Sequence, residues 1–367
     1  MKRILLLADD SLITNFYREK FQAAGVAIET ARNREAALKI IEEKSPELLL
    51  TDLIIPSASA LETVKVLRAA LGAKPLFVFS KLPADIVAAA EKSGATKVLG
   101  DMTPDAIVRE VQSALGLPAA GSTAAASDDK TEFWLSAVVE AAPEAINSIR
   151  TAMHVFIRDT RDSDALYALF RELHILSSRA TLAGLVAVGK MTGAVETLVY
   201  DLYTMPEQVN PSVLRTVSQS IDFLTSLFEE KNVRRAQDPS SSDVFVVDDE
   251  ASARQLISAA MKMVDLKITC AADPEMALCV LEDNNFNLIF LDINLPERSG
   301  FDLCTKVRQL EDHRKTPVVF LTGMATFQNR AQSSLSGGND FIGKPFNLHE
   351  LGVKALTWIF KDQLAMV

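Results

Sequence analysis

Twice in this chain a run of apolar residues stops dead at two adjacent carboxylates. Residues 3–10 read RILLLADD and residues 242–249 read SDVFVVDD, so Asp9-Asp10 and Asp248-Asp249 close the two runs. Each run is too short to cross a membrane, and its abrupt end reads as a buried strand meeting a turn. The same rhythm follows both. After the first come AIET, ELLLTD, PLFVFS and KVLG; after the second come KITCA, NLIFLD, TPVVFLT and DFIGK, with amphipathic helical patterns between. Near-continuous apolar strands alternating with helices predict a parallel sheet covered on both faces. Five such units make a doubly wound α/β domain, whose ligands sit at the carboxyl ends of the strands. The acid pairs stand at those ends.

Two polar, small-residue seams separate these repeats from a different middle: LPAAGSTAAASDDK and RRAQDPSSSD. The domain reading is therefore 1–117, a linker at 118–130, a helical block at 131–235, a linker at 236–242, and a last domain at 243–367. The middle block carries few strand signals. Leu166, Leu169, Phe170, Leu173 and Leu176 mark one helical stripe, and Val213, Val217, Ile221, Leu224 and Leu227 another. The spacing predicts a bundle of four or five helices. With 367 residues the chain is long enough for this multidomain plan of two α/β domains flanking an all-α bundle.

A third acid ends the third strand of each repeat, Asp52 in LLLTDLIIP and Asp292 in LIFLDINLP. It lies 43 residues after Asp9 and 44 after Asp248. Neighbouring strands bring three carboxylates together, a costly arrangement without a counter-charge. All-oxygen donors favour a hard divalent cation, Mg²⁺, as the cofactor. A carboxylate beside that ion is placed to accept a phosphoryl group.

On these residues the last domain resembles the receiver domain of bacterial two-component response regulators, a flavodoxin-like fold with a five-stranded parallel sheet. The resemblance implies that Asp292 is the phosphoacceptor and that Asp248, Asp249 and Asp292 hold the metal with the backbone carbonyl of Asn294. It further implies that Thr322 is the switch hydroxyl, that Lys344, followed by Pro345, pairs with phosphoryl oxygens, and that Phe341 is the aromatic whose rotation reports phosphorylation. Pro296 and Gly300 match the family's residues after the acceptor.

The first domain keeps Asp9, Asp10, Asp52, Pro56 and Ser80 in register, which makes Asp52 a second candidate acceptor, Asp9 and Asp10 further candidate metal ligands and Ser80 a candidate switch hydroxyl. It departs from the pattern where Asp101 stands in place of the lysine, Val98 in place of the aromatic and Ala60 in place of the glycine. The expectation is a receiver that phosphorylates poorly or a pseudo-receiver kept for docking. The middle block, in FRELHILSSRATLAG, resembles a histidine phosphotransfer (HPt) domain, which implies an exposed His174 as a third candidate phosphate carrier. Ser177 and Ser178 replace that family's lysine and glycine. Arg179, one position further round the helix, is a candidate substitute cation.

These resemblances imply a phosphorelay regulator rather than an enzyme, apart from self-catalysed phosphorylation and dephosphorylation. Its phosphodonor is a sensor histidine kinase or HPt protein, and its output is a protein partner or a fused domain. Two alternatives stand beside this: the regulatory part of a diguanylate cyclase, and a phosphate-independent scaffold. A net charge of -10 offers no basic footprint for nucleic acid. No apolar run is long enough for a membrane span, and Cys270, Cys279 and Cys304 fit no disulfide framework, which makes a reducing cytoplasm the expected location. A homodimer through the face of the last helices is a further expectation, with Trp358 and Phe360 assigned either to that face or to the core.

Overall fold

The computed structural model describes residues 2–54, 60–80, 84–100, 102–118, 128–296, 298–323 and 335–365. Its chain divides into two compact units, Met1–Ala141 with His174–Leu185, and Ala142–Leu173 with Val186–Val367. These units do not follow the two polar seams of the sequence. The N-terminal α/β domain includes the second half of a middle-block helix, and the C-terminal domain shares its unit with most of the other middle-block residues.

In the first unit β1 (Arg3–Leu7), β2 (Ala27–Ala31), β3 (Leu48–Thr51), β4 (Leu76–Val78) and β5 (Lys97–Val98) form one parallel sheet in the order β2-β1-β3-β4-β5. β1 and β3 are buried almost along their whole length, as their unbroken apolar sequences require of strands covered on both faces. The helices that cover them are α1 (Ser11–Ala23), α2 (Arg34–Lys44), α3 (Ala60–Leu71), α4 (Ala84–Lys92) and α5 (Pro104–Ala114). Phe16, Tyr17 and Phe21 of α1 and Val108 and Val111 of α5 pack with Ile4 and Leu6 on one face. Leu5, Leu7, Ala37, Val64 and Leu67 fill the other. Trp134 lies edge-on to Phe16, with ring centroids 5.2 Å apart, and Leu182 joins the same apolar cluster.

Three long helices carry the middle block onward: α6 (Asp128–Arg158), α7 (Ser163–Leu182) and α8 (Val186–Thr204). They are followed by α9 (Pro211–Leu227) and the short α10 (Glu230–Val233). The unit boundary in α6 falls next to Pro143, where a helix lacks one backbone donor. α9 starts sharply because Asn210 caps it and Pro211 occupies its first turn.

The second unit repeats the sheet with β6 (Asp243–Val247), β7 (Lys267–Ala271), β8 (Leu288–Asp292), β9 (Val318–Thr322) and β10 (Asp340–Gly343), ordered β7-β6-β8-β9-β10. Its helices are α11 (Ala251–Met263), α12 (Pro274–Asp283), α13 (Gly300–Val307) and α14 (Leu348–Gln363). α14 packs against α11, α8 and α9. Phe360 is fully buried there and Trp358 is half-buried, its indole N–H donating to Asp340 at 3.3 Å. Of the two assignments open for these residues, Phe360 belongs to the core. α8 and α9 of the same chain cover part of the last-helix face expected to form a homodimer.

Candidate functional site

β6 and β8 are hydrogen-bonded neighbours, so Asp248, directly after β6, and Asp292, the last residue of β8, come to the same edge. Ligand atoms of Asp248, Asp249 and Asp292 lie within 4.8 Å of one another, the one such group of three among the described residues. Asp248 and Asp292 are buried, whereas Asp249 is exposed. Gly343 pairs with Thr322 across β10 and β9, and the Lys344 amide donates to the Thr322 carbonyl at 2.7 Å. This carries the Lys344 ammonium back over the acids, 2.8 Å from Asp248 and 2.7 Å from Asp292. One cation against three carboxylates leaves a deficit of positive charge.

Burial pushes the Asp248 carboxyl above its ordinary range, and the Asp292 charge adds to this against the hydrogen bonds from Lys344 and the Glu250 amide. Burial lowers the Lys344 ammonium, but hydrogen bonds to Asp248 and Asp292 outweigh it and the net shift is upward. The ammonium is thereby held charged. Thr322 is buried at the end of β9. Asn294 is exposed, and its amide donates to Asp292 at 3.3 Å. Pro345 is exposed beside Lys344. Phe341 is half-buried with the Arg215 guanidinium of α9 4.0 Å from its ring centroid. Gly300 is required by close packing: a Cβ there would lie 2.0 Å from the Asp292 carbonyl oxygen.

The corresponding edge of the N-terminal sheet is built differently. α1 begins at Ser11 with Asp10 as its cap, whose Oδ1 accepts the Ile13 amide at 2.9 Å. In the C-terminal domain α11 begins one residue later relative to its acid pair, and Glu250 is the cap position, so Asp249 is not used in capping. The other Asp10 oxygen accepts two donors from Arg179, Nε at 3.1 Å and Nη2 at 2.5 Å. Asp52 accepts the Ser80 hydroxyl at 2.6 Å and the Ile54 amide at 3.0 Å. Its two oxygens lie 3.2 and 3.3 Å from His174 Nε2. Burial alone would raise the Asp52 carboxyl, but the charge and hydrogen bond of His174, the Ser80 hydroxyl and the Ile54 amide together hold it below the usual carboxylate range.

His174, expected exposed, is therefore buried at 2% exposure, because its imidazole is drawn into the acidic edge of the N-terminal sheet. Ser177 and Ser178 are half-buried, and the Ser178 hydroxyl lies 3.5 Å from the imidazole. Val98 is half-buried in β5. Asp9 is half-buried. Lys97, which stands close in sequence to the pocket, pairs instead with Glu110 at 2.7 Å. Asp101 and Pro56 lie outside the described residues.

Some polar residues near these sites carried no sequence signal that singled them out. Glu350 is buried in α14 and accepts hydroxyls of Ser212 and Thr216 at 2.7 and 2.8 Å. Lys354, one turn on, bonds Asp340 at 2.5 Å and Gln219 at 2.6 Å. A Glu and a Lys four apart on an amphipathic helix read as an ordinary exposed pair and do not mark these two as buried. Arg215 had no signal either.

Known proteins resemble the C-terminal part of this chain. The family model of the response regulator receiver domain matches residues 244–356. Transcriptional regulatory protein SrrA of Staphylococcus aureus is 36% identical over 118 residues, which cover 32% of this chain and 48% of SrrA. The chain thus spans about half the length of the curated relatives it matches. Among solved structures, chemotaxis response regulator CheY4 of Vibrio cholerae is 29% identical, covering 32% of this chain and 98% of that one with a TM-score of 0.31. The receiver domain of sensor histidine kinase PA1611 from Pseudomonas aeruginosa, described with a magnesium ion in its active site cleft, is 27% identical. It covers 32% of this chain and 97% of its own, also at a TM-score of 0.31. Residues 244–356 are a response regulator receiver domain of two-component signalling.

Proposed function

We propose that this chain is a phosphorelay regulator whose working switch is the receiver domain at 243–367, with Asp292 as phosphoacceptor. The observation that carries this reading is Lys344, whose ammonium bridges Asp248 and Asp292 at hydrogen-bond distance within a cluster of three acids. The donor set suits a hard divalent ion: oxygen ligands only, more negative than one lysine can balance. Asp248, Asp249 and Asp292 would hold Mg²⁺ together with the Asn294 carbonyl. Bound there, the ion supplies charge neutralisation for the transferred phosphoryl oxygens. An Asp292 oxygen attacks the phosphorus of a phosphohistidine on a sensor kinase or HPt protein. The P–N bond breaks, and the donor's imidazole leaves with its electron pair. Lys344 then exchanges its bond to Asp292 for one to a phosphoryl oxygen, and Thr322, at the end of the neighbouring strand, closes on the same group.

In this reading the domains run 1–117, 131–235 and 243–367, with linkers at 118–130 and 236–242. The first is a receiver-like domain without the phosphate-pairing lysine, and the middle one is an HPt-like bundle. The Phe341 ring, stacked under Arg215 of α9, gives the switch a reader within the chain, with a further partner or output domain downstream. A cytoplasmic setting goes with such a role.

The test is intact-mass spectrometry of the full chain with Mg²⁺ and acetyl phosphate, on wild type and Asp292→Ala. One phosphoryl group on wild type and none on the variant is the expected result. A variant that still gains one moves the switch to the N-terminal domain, and no gain on either protein leaves the scaffold reading.

A further inference from the structure

The N-terminal acidic edge and the C-terminal one share three aspartates in register, yet their oxygens are spent differently. In the C-terminal domain Asp248 and Asp292 each give one oxygen to Lys344 and the other to a backbone amide, of Glu250 and Asn294 respectively, while Asp249, the counterpart of Asp10, is exposed and caps no helix. In the N-terminal domain both oxygens of Asp10 are engaged, Oδ1 by the α1 amide of Ile13 and Oδ2 by two donors of Arg179. Both oxygens of Asp52 face His174 Nε2, and Oδ1 also accepts from Ser80 and Ile54. Asp10, Asp52 and His174 are each at least nine-tenths buried. A divalent cation needs carboxylate oxygens with open lone pairs and room for its waters. Here those lone pairs already carry charge-assisted bonds from the chain itself.

We propose that the segment His174–Leu185 is a built-in plug for the N-terminal acidic pocket, with Arg179 and His174 occupying the place that, under the function proposed above, a divalent cation would take in the C-terminal domain. The plug has an apolar anchor as well as a charged tip. Leu182 packs on the N-terminal core, and Leu12, Phe16, Trp134, Val138 and Ala183 line one small apolar cavity together with Arg179. Two consequences follow. The pocket does not take up Mg²⁺ while the plug is seated. His174 is not accessible to a separate receiver or kinase, since its Nε2 lies at hydrogen-bond distance from Asp52 with no space for a phosphoryl group between them. This is independent of whether Asp292 is phosphorylated.

Accessibility is tested on the unmodified full chain by diethyl pyrocarbonate modification mapped by peptide mass spectrometry, with the exposed His154 as internal reference. His174 should react at least about tenfold more slowly than His154, the factor that one charge-assisted hydrogen bond supplies. Arg179→Ala should bring the two rates together. Metal exclusion is tested by Mn²⁺ binding, followed through water-proton relaxation, in a chain carrying Asp248→Asn and Asp249→Asn to silence the C-terminal site. This parent should bind no Mn²⁺ at concentrations that saturate the wild type, and adding Arg179→Ala should create one site. Adding Arg179→Lys, which keeps the charge, should not. The proposal is overturned if His174 of the wild type reacts as fast as His154, or if the parent already binds one Mn²⁺. It is equally overturned if Arg179→Ala, folded by near-UV circular dichroism, binds no more Mn²⁺ than its parent.

Discussion

Lys344 stands between two acids that repel one another, and its removal separates two roles of the C-terminal pocket. Lys344→Ala takes away the group proposed to meet the phosphoryl oxygens but leaves every carboxylate in place. The expected outcome is a fall of about a hundredfold in the phosphorylation rate of Asp292, as for loss of one charge-stabilising donor. Mg²⁺ affinity should rise, because the competing cation is gone; quench-flow labelling and calorimetric titration check the two halves. Gly300 is the other single residue on which the pocket depends. A methyl group there meets the Asp292 carbonyl oxygen at 2.0 Å, and neither backbone can yield without moving the acceptor. Gly300→Ala should destabilise the domain by about 1–3 kcal/mol, the range of overpacked sites, read by urea denaturation. Both positions are legible in the amino-acid sequence through its resemblance to receiver domains, which Gly300 and the Lys344-Pro345 pair match. Arg179 is only partly so. Its candidacy as a cation is readable, but its actual partner, Asp10, lies 169 positions away, and no local pattern encodes that distance.

Among the helices, α14 shows most clearly how an element's sequence under-reports its surroundings. Its pattern reads as the last amphipathic helix of an α/β domain, yet Glu350 and Lys354 are almost fully buried. They are tolerated because α9 offers Ser212, Thr216 and Gln219, and β10 offers Asp340. Burial raises the Glu350 carboxyl above its ordinary 4.5, and the bonds from Ser212 and Thr216 and the charges of Lys354 and Arg215 only partly oppose it. The sign for stability follows from proton linkage. Between the ordinary value and the raised one the folded chain keeps a proton that the unfolded chain has lost, so stability falls as pH rises through that window. Glu350→Gln has no proton to lose. It should remove that part of the pH slope just above 4.5, measured as melting temperature against pH beside the wild type.

At the scale of the whole chain, the C-terminal receiver domain shares its compact unit with α8 and α9, which pack on α14. A fragment beginning at Asp243 loses both helices and uncovers the face of α14 that meets them. It should melt at a lower temperature than the same unit in the full chain, or self-associate through that face, as seen by calorimetry and light scattering. A monomeric fragment with an unchanged melting temperature would show that α8 and α9 add nothing to the domain. The described helices include none long and apolar enough to cross a membrane.

Everything carried by short-range period and by fixed spacing along the chain is written in the order of the amino acids. Continuous apolar strands, helices between them and acids at strand ends are local consequences of burial on two faces, and both five-stranded sheets appear where those patterns place them. Which groups share a pocket is settled only when the chain folds back on itself. Asp10 and Asp249 occupy the same position in two similar strand-and-turn segments, yet α1 starts one residue earlier than α11, makes Asp10 a cap and turns it toward Arg179. His174 reads as an exposed phosphate carrier in its own helix and is buried against Asp52 in the fold. A charge in a sequence has no partner until tertiary contacts form, and the free energy of pairing two buried charges depends on distances that no spacing along the chain records.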